Sequence, residues 1–379
     1  MIKKVYISQT NCITPLGLDV LSNVEAIDKG VTAIQLHQNK AFLPTDFHAA
    51  FINETIVNQA FLKLSDSDCY TKLEKMLLLA LAPIIKSSTI ELNSKIGFIL
   101  STTKGNITAL QNPTSKSIEQ AQLHTLAKTI ASFFGFVTEP IVVSNACVSG
   151  ILAVSVAKRM IQSTQFDAVF IVAGDEVSPF VLSGFNSFQA MSNAPCKPYS
   201  KNRSGVNLGE AAAAVLITNN PENAFVEIIG DGSINDANHI SGPSRTGEGL
   251  VKSIESALSE AKVSPEQIDF ISAHGTATPF NDEMEAIALN RLALQNVPIN
   301  SLKGYFGHTL GASGLLETVM GIHAIQHNIL MASLGFDEIG VSQNINVIAE
   351  NTPKECTYFL KTASGFGGSN TAVLFKKTL

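Results

Sequence analysis

Charge is scarce in this chain of 379 residues: Lys, Arg, Asp and Glu together make only 15%, and the formal net charge is −6. A surface that binds nucleic acid needs a dense basic face, and this composition supplies none. Cysteine is also sparse. The five residues Cys12, Cys69, Cys147, Cys196 and Cys356 are scattered and odd in number, with no Cys-x-x-Cys pair. That pattern points away from a disulfide framework and from a zinc site, so no metal is expected. Apolar runs stop short of the 18 residues that a membrane span requires, and the N-terminus enters a strand-like pattern directly, without a signal peptide. The expectation is a globular protein of a reducing, cytoplasmic compartment.

What is abundant is apolar residue, 45% of the chain, enough for one large core or two ordinary ones. Residues 2–8 read as a strand and Asn11 to Gly17 as a turn. Helical periodicity runs over 71–86, with Pro83 expected to kink or shorten the helix, followed by a buried strand at 96–100. Helix at 117–134, strand at 141–143, a helix apolar on nearly every face from Ser149, and strand at 168–173 continue an α/β alternation with a parallel or mixed sheet. The segment 184–210 reads as loop, 211–217 as strand, and the polar stretch 219–223 as a boundary. Two domains are therefore expected, 1–222 and 223–379. The second series has strand at 225–229, helix at 248–261, strand at 270–273, helix at 281–294, and strands at 358–361 and 371–375. The segment Val148-Ser149-Gly150-Ile151-Leu152 can be laid against Ala312-Ser313-Gly314-Leu315-Leu316, which suggests two similar halves.

Cys147 stands where the strand 141–143 meets the buried helix. The free N–H groups and positive end of a helix favour thiolate over thiol. His274 follows an apolar strand directly, and His308 lies between glycines that imply close backbone approach. A Cys with one His would suit a protease or acyltransferase. With two, the helix end can activate the thiol while both neutral imidazoles donate hydrogen bonds to the oxygen that becomes negative when a β-keto acid loses CO₂. Glu285 and Lys303 are placed to orient or charge-balance that pair. His37, His48, His124, His239, His323 and His327 have no such setting and are given no role.

Five ordered motifs together resemble one known family. Asn145-Ala146-Cys147, His274-Gly275-Thr276-x-Thr278-Pro279, Asn281-Asp282-x-x-Glu285, Lys303-x-x-x-x-His308 and Gly365-Phe366-Gly367-Gly368-x-Asn370 look like those of β-ketoacyl-acyl carrier protein synthases, condensing enzymes of the thiolase superfamily. The resemblance implies a thiolase-like, five-layered αβαβα fold of two pseudo-duplicated halves. It implies an acyl chain carried on Cys147, an oxyanion hole from the N–H groups of Cys147 and Phe366, and Phe366 as gate. It also implies His274 and His308 as decarboxylating pair, Lys303 and Glu285 behind them, and Thr276 and Thr278 on the pantetheine arm. Partners would be acyl carrier protein, whose 4′-phosphopantetheine carries the substrates in place of any resident cofactor, and a second ketosynthase subunit in a homodimer or heterodimer. Two His match the elongating class. The short loop Met191 to Ser200, Ser204-Gly205 in place of Asp-Gly, and Val148-Ser149-Gly150 after the Cys are departures that fit a polyketide or aryl-polyene pathway at least as well as fatty-acid elongation. The alternative is a chain-length-factor-like subunit with a mainly structural role, and thiolase-like cleavage would need a second Cys near Gly365 to Asn370.

Overall fold

The computed structural model describes residues 3–67, 69–111, 113–236 and 242–378. The first half contains β1 (Tyr6–Ile13), α1 (Lys72–Ser88), β2 (Ile96–Ser101), α2 (Leu123–Phe134), β3 (Ile141–Val143), α3 (Ser149–Gln162), β4 (Ala168–Asp175), α4 (Pro179–Ser187) and β5 (Ala211–Thr218). The second contains β6 (Val226–Asn235), α5 (Glu248–Ala261), β7 (Phe270–Ser272), α6 (Pro279–Arg291), β8 (Pro298–Asn300), α7 (Ser313–His327), β9 (Tyr358–Gly365) and β10 (Ser369–Lys377). Apart from α4 and short inserted elements such as the helices Val20–Asp28 and Glu54–Phe61, the two series match element for element.

The pairing repeats as well. In the first half β5 is antiparallel to β1 and β4, while β2 runs parallel to β4 and β3. In the second β10 is antiparallel to β6 and β9, while β7 runs parallel to β9 and β8. Strands β1 and β6 pair at Tyr6–Glu227 and Ile7–Val226, which joins the halves edge to edge.

Strands covered on both faces carry apolar residues without alternation, and β2, β4 and β5 are buried throughout. Their alternate residues serve different cores. Val169, Ile171 and Ala173 face the central core with α3 and α7, whereas Phe170 and Val172 face α1 and α2. In the second half Phe359 and Val373 face the same central core, and Leu360 and Leu374 face α5 and α6. The layers are thus helix, sheet, helix pair, sheet, helix, the αβαβα order that the sequence implied.

The central pair crosses on glycine. A methyl at Gly150 would lie 2.7 Å from the Gly311 carbonyl oxygen, and one at Gly314 would lie 2.8 Å from the Ile151 nitrogen. The short sequence repeat is therefore the contact between α3 and α7, and backbone meets backbone there.

Several boundaries differ from the sequence reading. The first strand begins later and runs on through Ile13, because Thr10 to Ile13 pair with Val215 to Ala212 and Asn11 donates 3.0 Å to the Ala80 carbonyl. The turn begins at Thr14. Pro83 sits on the exposed side of α1, and the helix continues to Ser88. Residues 179–187, half of them read as loop, form α4 with Ser178 as N-cap. Strands β6, β9 and β10 are longer than expected, which shortens the glycine turn to Phe366-Gly367-Gly368. Among the described residues no helix is long and apolar enough to cross a membrane.

Candidate active site

The peptide before α3 folds tightly. Ala146 has φ 44°, Asn145 N–H donates 2.7 Å to Ser149 Oγ, and the Cys147 thiol is turned inward with Cys147 7% exposed. The other half repeats this turn: Leu310 has φ 54°, and Thr309 N–H donates 3.0 Å to Ser313 Oγ. Gly311 is thereby the counterpart of Cys147. Its N–H donates 2.7 Å to the buried Asp175 carboxylate, which Thr103 N–H also approaches at 3.0 Å. In one half this helix-end N–H already holds an oxyanion; in the other it lies beside a thiol and a cavity.

Across the cavity the β9–β10 turn brings its backbone to the thiol. A methyl on Gly365 would lie 3.1 Å from Cys147 N, and the Phe366 N–H draws the thiol toward its ionised form. His308 comes from the second half and is clamped by the first, its N–H donating 2.6 Å to Asn207 and its carbonyl accepting from Gly209 at 3.0 Å. Its Nδ1 accepts from Leu310 N–H at 3.3 Å and lies 2.8 Å from Ser313 Oγ. The proton is therefore assigned to Nε2, which is buried without a partner. His274 stands perpendicular to it with ring centroids 5.2 Å apart, and its Nδ1 is likewise buried and unpartnered. One ligating atom each of Cys147, His274 and His308 lies within 4.8 Å of the others.

Electrostatics keep both imidazoles neutral. Burial, and then the Lys303 ammonium, hold each well below the usual 6.5, with Lys361 adding in the same direction. For the thiol, burial dominates: Cys147 is pushed from 9.0 up to about 11, against the pull of Lys303, Lys104 and the Phe366 N–H. A helix N-terminus is worth at most about 2 kcal/mol, and that rise corresponds to roughly 3 kcal/mol. Burial thus opposes the activation expected of the helix end. An imidazole nitrogen lies within 4.8 Å of the sulfur.

Behind the rings lies a shell of buried charge. Glu285 accepts from His274 N–H at 2.8 Å and Gly275 N–H at 2.7 Å, and from the Tyr199 hydroxyl at 3.0 Å. On the other side of the same peptide Lys303 donates to the His274 carbonyl and pairs at 2.7 Å with Glu317. Glu317 also pairs at 2.6 Å with Lys361. Glu285 and Lys303 therefore grip the His274 backbone from opposite sides and do not pair with each other. Tyr199, Glu317 and Lys361 were not anticipated in this shell. The signal for the last two is a charge inside an otherwise apolar helix or strand.

The cavity measures about 380 Å³ and is walled mainly by apolar groups. Cys147, His274 and His308 lie in it, with Thr276, Thr278 and Phe366. The two threonine hydroxyls are 2.8 Å apart. Phe366 stacks on Phe185 at 5.5 Å and meets Phe188 edge-on at 5.3 Å. Among the described residues no second cysteine lines the space, and Cys356 instead donates to the Lys354 carbonyl at 3.3 Å. His323 and His327 stack on each other along α7, and His239 lies outside the described residues.

Comparison with known proteins agrees with this geometry. Residues 3–223 match the family model for the β-ketoacyl synthase N-terminal domain, and residues 225–337 match that for its C-terminal domain. A Schizosaccharomyces pombe protein named as a mitochondrial 3-oxoacyl-[acyl-carrier-protein] synthase is 29% identical over 298 residues, 72% of this chain and 70% of its own. The 3-oxoacyl-[acyl-carrier-protein] synthase 2 of Coxiella burnetii is 31% identical over 251 residues, 62% of this chain and 60% of its own. A chain of the complex between a ketosynthase and its chain length factor from Xenorhabdus doucetiae superposes with a TM-score of 0.86 at 24% identity, covering 99% of this chain and 98% of that one. With both domain models matched in order across most of its length, the chain belongs to the β-ketoacyl synthase family.

Proposed function

We propose that the chain is a 3-oxoacyl-[acyl-carrier-protein] synthase that joins an acyl group on Cys147 to malonyl-acyl carrier protein with loss of CO₂. The observation that carries this is the convergence of one thiol and two neutral imidazoles beside two backbone N–H groups, at the end of an apolar cavity. In the first half-reaction the Cys147 sulfur attacks the thioester carbonyl, and the oxyanion is held by the N–H groups of Cys147 and Phe366. The thiol proton passes to the departing pantetheine thiolate. Collapse leaves the acyl-Cys. In the second, His308 Nε2–H and the neutral His274 donate to the malonyl thioester oxygen as CO₂ leaves, and the enolate carbon attacks the acyl carbonyl. Cys147 departs as thiolate.

Thr276 and Thr278 are assigned to the pantetheine arm, which fits their place in the cavity wall, and Phe366 to gating between acyl and malonyl sites. The division into halves 1–222 and 223–379 belongs to this reading, and the repeated element order supports it. A second ketosynthase subunit, identical or related, is assigned to the β3 edge, where the sheet ends. A purely shape-giving subunit is not favoured, because nucleophile, imidazole pair and their charged supports are all present. The deciding experiment is mass spectrometry of the purified protein after incubation with acyl-acyl carrier protein. An acyl adduct on the peptide bearing Cys147 is expected; its absence sinks the enzymatic reading.

A further inference from the structure

Lys361 lies in the middle of β9, and its side chain is fully buried. Four oxygens surround its Nζ: the carbonyls of Ser272 at 3.1 Å, Ala273 at 3.2 Å and Thr362 at 2.7 Å, and the Glu317 carboxylate at 2.6 Å. Such a ring of oxygens is what a small dehydrated monovalent cation requires. Its placement is also specific. Ser272 and Ala273 are the two residues that lead into His274, and the next carbonyl, that of His274 itself, is taken by Lys303. One carboxylate, Glu317, ties the two ammonium groups together. Three successive carbonyls are thus fixed by a paired cation, and the following two N–H groups by Glu285.

A buried ammonium of this kind adds little to stability compared with an apolar residue of similar volume. What it controls here is where the strand end stops. We propose that Lys361 is a positioning residue of the decarboxylation half-reaction, a built-in monovalent cation that sets the strand end carrying His274. This rests on the functional reading above. The same charge also opposes protonation of both imidazoles, in agreement with the proposal. The charged groups that weigh most on the Cys147 thiol are Lys303, Asp175 and Lys104, and acylation is therefore expected to survive the loss of Lys361.

The test separates the half-reactions. Lys361→Met and Lys361→Ala are compared with wild type for acyl transfer to Cys147 and for CO₂ release from malonyl-acyl carrier protein. The expected result is a fall in CO₂ release on the order of tenfold to a hundredfold, the cost of a misplaced reacting group, with acyl transfer within about threefold of wild type. In Lys361→Ala, ammonium or potassium ions refill the oxygen ring and raise CO₂ release, whereas choline at the same ionic strength is too large and does not. If the Ala variant fails to fold, the Met variant, which keeps the volume, carries the separation alone. Equal loss of both half-reactions, or loss of neither, overturns the inference while wild type is active. A wild type with neither activity overturns the functional reading instead, and the inference with it.

Discussion

Replacing His308 probes the proposed chemistry at its most exposed point. The ring offers one free donor, Nε2–H, while Nδ1 is occupied by Leu310 N–H and Ser313 Oγ. Loss of a single preorganised donor to a developing oxyanion costs about 2.7–4 kcal/mol, or roughly 10²–10³ in rate. His308→Ala should therefore slow CO₂ release from malonyl-acyl carrier protein at least about a hundredfold. The same change also strips Leu310 and Ser313 of their acceptor, worth about 1–3 kcal/mol of stability. His308→Asn separates the two effects. Its carboxamide oxygen replaces Nδ1 as acceptor, nothing replaces Nε2–H, and so the rate falls as in the Ala variant while the melting temperature stays closer to wild type. Radiolabelled CO₂ release and a thermal melt on each variant measure both quantities. Release at the wild-type rate in a folded His308→Asn protein would refute the assignment of this ring.

Three further outcomes follow from the charges and the packing. Because both imidazoles are held below 6.5, CO₂ release should stay level as the pH falls past that value and decline only at lower pH; Lys303→Met moves the decline upward, and a wild-type midpoint at or above 6.5 would contradict the neutral pair. Alkylation of Cys147 by iodoacetamide should still be accelerating beyond pH 9.0 on its way to about 11, whereas a plateau near neutrality would indicate a resting thiolate. Gly314→Ala places a methyl 2.8 Å from Ile151 N and forces α3 and α7 apart. A loss of about 1–3 kcal/mol is expected on thermal or denaturant unfolding, and an unchanged midpoint would show that the crossing is looser than described.

The sequence made the frame and the reacting groups legible, for a physical reason. Cys147, His274 and His308 sit at joints where strand gives way to loop or helix, and such joints are marked by glycine, proline and abrupt changes of hydrophobic period. The repeat at 148–152 and 312–316 was readable because backbone contact demands small residues at fixed places in both halves. Its deeper symmetry, with positive φ at both Ala146 and Leu310, was not, since neither residue type announces that conformation. The supporting charges were harder still. Lys361 ends the strand expected at 358–361, which in fact runs to Gly365, and Glu317 lies inside a helix that is otherwise almost wholly apolar. Each has meaning only through partners distant in the chain. Tyr199 reaches Glu285 from a loop whose shortness was noted but whose direction no local pattern encodes. The upward push on the Cys147 thiol was not legible because helix-end chemistry is local, whereas the burial that opposes it is a property of the whole fold.

The central claim is that enolate formation belongs to the two imidazoles and acyl transfer to the thiol. Cys147→Ala incubated with malonyl-acyl carrier protein tests it most directly. The account predicts continued release of CO₂, with no acyl adduct and no condensation product. Loss of CO₂ release in a Cys147→Ala protein that retains its fold would contradict it.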